Sequence, residues 1–324
     1  MKPLRFAIAA LLASIALSSA SAQDAAGSYP NRAIRIIVGF TAGGGNDILA
    51  RLVGQKMSES FGQPVVIENK PGAGAIIGTE YVKGQAADGY TLLMGASGAM
   101  TINPAVYTKL PYDTRRDFVP ISMVAQFPLI VVVNPSGPKS MPELIAYAKA
   151  NPDKSNYASS SAAFQLATEL FKMRTAAPMT HIPYKGSGDS IAAVLASQVL
   201  LAIVDAGPAS GQIKGGALRA LAVTSPKRSP QFPDVPTLAE AGVADVDVTL
   251  WSGLFVPTGT PPAIIKKLQD EVVRIVKLPD IQERMTALAV EPVGNRSEEF
   301  ARIISADIER WTTVAKASNI KIEL

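Results

Sequence analysis

The segment Tyr29–Arg51, YPNRAIRIIVGFTAGGGNDILAR, constrains the fold more than any other, because it predicts a buried strand, a glycine turn and a helix in succession. The apolar positions of residues 34–38 are all β-branched, which is typical of a strand covered on both faces. The glycines at 43–45 permit a sharp turn and a close approach of the backbone to a ligand. Asn46 or Asp47 is then expected to cap the helix. The segment therefore predicts the first unit of an α/β fold.

This first glycine turn has two interpretations. A glycine loop that leads into a helix N-terminus presents free backbone N–H groups and the positive end of the helix dipole, which suit an anion such as a carboxylate. Three glycines also suit a tight left-handed turn that binds nothing. The glycines alone do not decide between these two interpretations.

The same unit recurs along the chain. The strand at 65–67 precedes a glycine turn at 71–74, the strand at 90–94 precedes a polar turn at 95–98, and a second series of units starts after Phe127. Alternation at this spacing predicts right-handed βαβ units and mostly parallel sheets. Loops that follow parallel strands gather at one edge of the sheet, which is where ligands of open α/β sheets bind.

The length of the chain favours two lobes, because 324 residues exceed what a single core comfortably supports. The first series of units predicts lobe 1 over residues 23–125, and the second predicts lobe 2 over residues 126–249. An apolar strand and two tail helices are expected to return to lobe 1 and add residues 250–324 to it. Two crossings, near 125 and 249, would then form a hinge between lobes that face each other across a cleft.

The N-terminus predicts export. Lys2 and Arg5 precede an unbroken run of small apolar residues, Phe6–Leu17, and the sequence Ala20-Ser21-Ala22 follows as a candidate cleavage site. The run is shorter than the roughly 20 residues of a membrane span. Residues 1–22 are therefore predicted to be a signal peptide, cleaved near Ala22 and Gln23, and the mature protein is predicted to be periplasmic.

Composition excludes several classes of partner and cofactor. A formal net charge of +4, evenly scattered, is too small for a nucleic-acid binder or a polybasic membrane surface. The chain has no cysteine and one histidine, His181, so the usual zinc, copper and iron–sulfur ligand sets are missing. We expect neither a metal nor a cofactor.

An exported hydrolase is the competing class. No G-x-S-x-G motif occurs, and His181 has no evident serine partner at a turn. A glycosidase would need a pair of carboxylates at strand ends, and the nearest candidates, Asp47 and Asp205, both have helix-capping roles open to them. The sequence therefore predicts no catalytic residues.

Six segments in register resemble a known family, and they run in order from residue 29 to about 265. They are YPNRAIRIIVGFTAGGGNDILAR, GQPVVIENKPGAGAIIG, ADGYTLLMG, HIPYKG, GGALRALAVTSPKRSPQFPDVPTLAEAG and WSGLFVPTGTP. The chain resembles the substrate-binding proteins of tripartite tricarboxylate transporters, also called the Bordetella uptake gene (Bug) family. The resemblance implies a two-lobed type II periplasmic-binding fold, each lobe a mostly parallel sheet flanked by helices. It also implies a protein that closes around a small carboxylate and hands it to membrane permease subunits. The oligomeric state is open, and a monomer suits a protein that must open and close while it docks a permease.

Two loops depart from the family's pattern. The family's FPPGGGxD appears here as FTAGGGND at residues 40–47, which frees two backbone N–H groups and adds the hydroxyl of Thr41. The family's small-residue loop of lobe 2 appears at residues 159–165, with Gln165 where the family has a histidine and with the bulky Phe164 beside it. Substrate preference is therefore expected to differ, with a slight lean toward a ligand that has an aromatic or aliphatic body.

The resemblance and the loop positions together give the candidate ligand-binding residues. They are Phe40, Thr41, Ala42, Gly43, Gly44, Gly45, Asn46, Asp47, Ser97, Gly98, Thr101, Ser159, Ser160, Ser161, Phe164, Tyr184, Lys185, Gly186 and Asp205. These loops contain no arginine, so a carboxylate would be held by neutral donors, namely loop N–H groups and hydroxyls.

Several of these residues have a structural alternative. Asp47 is more readily explained as a helix cap paired with Arg51 than as a ligand contact. Asp205 could bind a ligand hydroxyl or amine, or could cap the following helix. Lys185 fits a cleft-facing and a solvent-facing position equally well, and Trp251 fits either the cleft wall or packing at the hinge.

A last alternative concerns the role of the whole protein. A solute sensor that presents its closed form to a membrane signalling receptor would have the same soluble domain. The sequence does not separate transport from sensing, and the family's precedent favours transport.

Overall fold

A computed structural model describes residues 27–288 and 290–323 of the chain. The predicted signal peptide, residues 1–22, lies outside the described residues.

Ten strands alternate with helices through most of the described chain. The strands are β1 (Ile34–Val38), β2 (Val65–Asn69), β3 (Thr91–Ala96), β4 (Phe118–Val133), β5 (Asn156–Ser159), β6 (Thr180–Pro183), β7 (Leu201–Asp205), β8 (Arg219–Val223), β9 (Thr249–Pro257) and β10 (Glu291–Pro292). The α-helices are α1 (Gly45–Phe61), α2 (Ile76–Lys83), α3 (Asn103–Val106), α4 (Thr114–Asp117), α5 (Met141–Ala150), α6 (Ala162–Thr175), α7 (Ser187–Leu195), α8 (Ala206–Lys214), α9 (Pro262–Ile275), α10 (Pro279–Ala287) and α11 (Ser297–Ala317). Short 3₁₀ turns lie at Ala73–Ala75 and Pro152–Lys154, and a π-helical turn lies at Gly98–Ile102.

The first lobe is built on the strand order β2-β1-β3-β9-β4. Strands β1, β2 and β3 pair in parallel, as the strand–turn–helix repeat predicts, whereas β9 pairs antiparallel with β3 and with β4. The apolar residues of β1 are fully buried, because helices cover both faces of this sheet.

The second lobe repeats the arrangement with the order β8-β4-β7-β5-β6. Strand β5 pairs in parallel with β6 and β7, and β4 pairs antiparallel with β7 and β8. The expected two-lobed α/β fold is confirmed, with mixed sheets because β4 and β9 run against the parallel strands.

Strand β4 joins the two lobes. Its residues from Phe118 to Pro128 pair with β9, and those from Leu129 to Val133 pair with β7 and β8. The return connection lies just before β9, where Val248 N–H donates to Thr224 C=O at 3.0 Å. Strand β4 thus takes part in the sheets of both lobes, and the lobe boundaries at 125 and 249 stay a prediction.

Helix α11 differs from the expectation that the tail helices cover lobe 1 alone. Phe300 and Ile304, near the start of α11, pack in the core of the first lobe, as expected of a tail helix that covers lobe 1. Trp311 and Val314, near its end, pack instead in the core that contains Leu166 of the second lobe. Its apolar stripe continues for 21 residues, which is long enough to reach both lobes.

Candidate functional site

A cavity of about 480 Å³ lies between the two lobes, at the ends of β3, β5 and β7. Its wall is formed by both lobes and by the connecting strands. The lining residues are Phe40, Gly45, Asn46, Gly74, Ala96, Ser97, Gly98, Ala99, Ile102, Asn103, Tyr107, Phe127, Ser161, Ala162, Ala163, Phe164, Asp205, Leu250, Trp251, Ser252 and Ile322.

Helix α1 begins at the cavity wall. Its first residues, Gly45 and Asn46, line the cavity, and its N-cap is Gly44, which has an extended backbone and offers no capping side chain. The N–H groups of the first helical turn have no carbonyl partner within the helix. They are therefore available to a ligand anion at this point.

Asp47 holds the glycine turn in place rather than capping the helix from the N-cap position, which corrects the expectation for Asn46 and Asp47. The Asp47 carboxylate accepts hydrogen bonds from Gly43 N–H at 2.8 Å, from Arg51 Nε at 2.9 Å and from Asn69 Nδ2 at 3.0 Å. The hydrogen bond from Arg51 is the main reason that the pKa of Asp47 is lowered to about 2. Gly43 has a φ of 82°, a left-handed conformation that favours glycine.

Three polar side chains of the first-lobe wall, Asn46, Ser97 and Asn103, are bonded to other parts of the protein. Asn46 Oδ1 accepts a hydrogen bond from the Ser252 hydroxyl. Ser97 Oγ accepts one from Trp251 N–H at 3.1 Å, and Asn103 Nδ2 donates to Gly74 C=O at 3.0 Å. These bonds fix the wall before any ligand arrives.

Helix α6 begins at the opposite wall. Its N-cap is Ser161, whose side chain makes no capping hydrogen bond, and its first three residues, Ala162, Ala163 and Phe164, line the cavity. Each lobe therefore presents the uncapped N-terminus of one long helix to the same cavity. The two dipoles both favour negative charge there.

Asp205 ends β7 and stands immediately before α8 on the second-lobe wall. It occupies the N-cap position, but its side chain makes no capping hydrogen bond. Its one hydrogen bond to the described part of the protein comes from Ser187 Oγ at 3.5 Å. Burial raises the pKa of Asp205 to about 6, and the long bond from Ser187 offsets this only in part.

Among the described residues that line the cavity, Asp205 is the single charged side chain, since no lysine, arginine or histidine contributes to the wall. A ligand carboxylate in this cavity would therefore be held by neutral donors, as the absence of arginine from the loops predicts. The site differs in this respect from the arginine-paired sites that often bind carboxylates.

Aromatic and aliphatic side chains form the rest of the wall. Trp251 both lines the cavity and packs at the lobe junction: its ring meets Phe300 edge to face at a centroid distance of 4.8 Å, and its Nε1 donates to Asp307 Oδ2 at 2.9 Å. Phe164 lines the cavity from the second lobe and is itself part of that lobe's core. The apolar surface gives a ligand body something to pack against.

Eight of the sequence-predicted residues line the cavity, and these are Phe40, Gly45, Asn46, Ser97, Gly98, Ser161, Phe164 and Asp205. Eleven do not. Thr41, Ala42 and Gly43 form an exposed loop beside the cavity with Gly44, and Asp47 is buried behind them.

The remaining six predicted residues have other surroundings. Thr101 is buried and donates to Ser97 C=O at 2.8 Å. Tyr184 packs against the core of lobe 2, and Lys185 is exposed. Ser160 and Gly186 are half-buried beyond the cavity wall, as is the ring of Tyr184, and Ser159 is buried.

Ser159 has a partner that sequence reasoning missed. Its Oγ lies 2.7 Å from His181 Nε2, because β5 and β6 pair in parallel and bring the two residues together. Burial lowers the pKa of His181. Ser159 is buried and does not line the cavity, so this pair holds two strands together and offers no nucleophile to a ligand.

The sequence reasoning also missed residues that long-range packing brings to the site. Phe127, Leu250 and Ser252 lie on the connecting strands β4 and β9. Their closeness to the predicted crossings at 125 and 249 was a usable signal, since a hinge borders the cleft it opens. Ile322 comes from the tail, and no local pattern points to it.

Residues 27–288 and 290–323 contain neither a helix that could span a membrane nor a metal-binding cluster. No helix there has both the length and the hydropathy required to cross a bilayer. No group of three or more His, Cys, Asp or Glu side chains in the same ranges could hold a metal ion.

Residues 49–320 match the family described as the tripartite tricarboxylate transporter family receptor. Protein BugT of Bordetella pertussis is 37% identical over 313 residues, which cover 95% of this chain and 96% of BugT.

Two solved structures are similar to this chain over most of its length. The R. palustris protein Rpa4515, solved with adipate, is 35% identical with a TM-score of 0.78, covering 92% of this chain and 100% of that one. MatC of Rhodopseudomonas palustris, solved with bound malate, is 30% identical with a TM-score of 0.73, covering 88% of this chain and 99% of MatC. The resemblance in the sequence is confirmed: this chain belongs to the tripartite tricarboxylate transporter receptor family, which is a family of substrate-binding receptors and not of enzymes.

Proposed function

We propose that the protein is a periplasmic receptor that binds a small carboxylate between its lobes and delivers it to the permease subunits of a tripartite tricarboxylate transporter. One observation carries the proposal. Helices α1 and α6, one from each lobe, begin uncapped at the same cavity, and the described wall contains no basic side chain. Two helix N-termini can hold an anion only when the lobes are together, which links binding to closure.

The strength of such binding is sufficient for a receptor. A hydrogen bond to a charged group contributes about 1.5–3 kcal/mol net. Four or five of them, after the cost of closing the lobes, support micromolar affinity, which needs about 8 kcal/mol. The adipate and malate named with Rpa4515 and MatC are consistent with a carboxylate ligand of this size.

A thermal-shift screen tests the proposal. Mature protein is unfolded and refolded to remove any retained ligand, and is then melted with mono-, di-, tri- and aromatic carboxylates. A ligand at a hundred times its dissociation constant adds about 2.7 kcal/mol, which at about 2–4 °C per kcal/mol raises the melting temperature by roughly 5–10 °C. No shift with any acid, together with no acid found by mass spectrometry in the untreated protein, would contradict the proposal.

A further inference from the structure

The Asp205 carboxylate is almost without partners inside the protein. It does not cap α8, and the one hydrogen bond it receives from the described residues is a long one, 3.5 Å from Ser187 Oγ. An ionised carboxylate can accept about four hydrogen bonds. The Asp205 carboxylate therefore has unbonded acceptor positions at the cavity wall. Leaving them unbonded costs free energy once closure excludes water.

Asp205 and the start of α1 border the same two cavities. Both Asp205 and Gly45 line the main cavity, and both line a smaller adjoining cavity of about 80 Å³ beside Phe127 and Ala206. The two residues belong to opposite lobes and border the same two spaces, so they stand across a short gap from each other. A ligand carboxylate held at the start of α1 would therefore bring the substituent on its neighbouring carbon within reach of Asp205 if that carbon lay on the side of the shared small cavity.

The negative charge of Asp205 determines which substituent is favoured at that carbon. No lysine, arginine or histidine of the described chain lines the cavity, so Asp205 has no cation there to neutralise it. A second carboxylate at this place would meet a like charge at short range. An ammonium or a hydroxyl group would instead donate a charge-assisted hydrogen bond and satisfy the acceptor.

We propose that Asp205 sets ligand selectivity by accepting a hydrogen bond from an ammonium or hydroxyl group on the carbon next to the ligand's carboxylate, so that the cavity prefers 2-amino and 2-hydroxy acids to their unsubstituted parents. The inference rests on the proposed function, since it assumes that a carboxylate occupies the start of α1. It narrows the substrate class from small carboxylates in general to those that carry a donor at the 2-position.

Two matched ligand series test the inference. The first is 3-phenylpropionate, 3-phenyllactate and phenylalanine, and the second is succinate, malate and aspartate. Within each series the skeleton is constant and the 2-substituent changes from hydrogen to hydroxyl to ammonium. Dissociation constants are measured by calorimetry at pH 7.5 on refolded, ligand-free protein.

The variant Asp205→Asn keeps the shape of the side chain and removes its charge. Asp189→Asn is the matched control, because Asp189 is an exposed aspartate on α7 and does not line the cavity. For wild type and the control, we expect a 2-amino or 2-hydroxy acid to bind about tenfold or more tightly than its parent in at least one series. For Asp205→Asn, we expect that ratio to fall to within about threefold, mainly through weaker binding of the donor-bearing acid.

The outcomes separate the inference from the proposed function. Binding of the unsubstituted acids as tightly as the substituted ones, or a preference that survives in Asp205→Asn, would overturn the inference and leave carboxylate binding intact. Tighter binding of succinate than of malate and aspartate, strengthened further by Asp205→Asn, would also overturn it. No binding of any acid in either series, together with a flat carboxylate screen, would overturn the proposed function itself.

Discussion

On the first-lobe wall of the cavity, Asn46, Ser97 and Asn103 are each hydrogen-bonded to another part of the protein, whereas on the second-lobe wall Ser161 makes no capping bond and Asp205 receives one long bond. Both walls offer the uncapped start of a helix. They differ in how many of the polar side chains around that helix start already have a hydrogen-bond partner in the protein.

This difference predicts different roles for the two lobes in ligand binding. A wall whose side chains are fixed before binding presents a constant set of backbone N–H donors, which suits the carboxylate that every candidate ligand shares. A wall with unused side-chain acceptors gains most from a ligand that satisfies them, and loses most when the ligand cannot. We therefore expect mutations in the first wall to destabilise the protein, and those in the second wall to change selectivity without destabilising it.

The largest stability effect is expected at Asp47, which holds the first wall's glycine turn. Asp47→Ala removes the acceptor of three hydrogen bonds, from Gly43, Arg51 and Asn69, and should cost about 2–4 kcal/mol in urea unfolding at pH 7. Arg51→Ala removes only the exposed partner and should cost much less.

The stability that Asp47 contributes should depend on pH. Its pKa is lowered to about 2, so the stabilisation is complete above about pH 4 and is lost as the pH falls toward 2. The difference between wild type and Asp47→Ala should therefore shrink in acid. Equal stabilities of the two proteins at pH 7 would contradict the account of the first wall.

In the ligand-free protein, replacing Asp205 is expected to increase stability, whereas replacing Asp47 decreases it. Because its folded-state pKa is raised to about 6, ionising it costs stability progressively as the pH rises through the range from about 4 to 6. Asp205→Asn removes this cost and should stabilise the protein by about 1–3 kcal/mol at pH 7.5. The gain should shrink at pH 4.5, as measured by calorimetric melting. A destabilised Asp205→Asn at pH 7.5 would show that the carboxylate has structural partners.

A comparable effect of the opposite sign is expected when Ser97 of the first wall is replaced. Ser97 is buried, and Ser97→Ala leaves the N–H of Trp251 without its acceptor. An unsatisfied buried donor costs about 1–3 kcal/mol, which urea unfolding can resolve. A cost below about 0.5 kcal/mol would mean that this part of the wall is not fixed by the serine.

The smallest stability effect is expected for Ser161 of the second wall. Its side chain is exposed and does not cap α6, so Ser161→Ala should change the unfolding free energy by less than about 0.5 kcal/mol. Binding of the best carboxylate should nevertheless weaken if the hydroxyl meets the ligand. A stability loss as large as that of Ser97→Ala would remove the distinction between the walls.

Local sequence patterns predicted much of the fold. The strand–turn–helix repeat predicted the parallel pairing of β1 with β2 and of β5 with β6. The packing of the end of α11 against the second lobe could not be predicted from the sequence. The apolar periodicity of a helix identifies its buried face but not the elements that pack against that face.

The site was predictable only in part, for a related reason. Positions at or just after the end of a strand, such as Asp205 and Ser97, reach the cavity because the ends of parallel strands share an edge. Spacing alone does not orient a side chain, so Thr101 and Lys185 were included although one is buried in a turn and the other is exposed. Leu250 and Ser252 come from a connecting strand far along the chain and required the tertiary structure.

The central claim is that the space between the two walls binds the ligand. Placing a side chain in that space tests the claim most directly. Gly98 lines the cavity, and a Cβ added there would meet no atom within 4 Å, so Gly98→Leu should place an apolar side chain in the ligand's space without disturbing the core. Gly211→Leu is the control, because Gly211 is an exposed glycine of α8 with equally open surroundings. Calorimetric titration with the acid that stabilises wild type most should show binding to Gly211→Leu and none to a folded Gly98→Leu. Unchanged binding to Gly98→Leu would contradict the account.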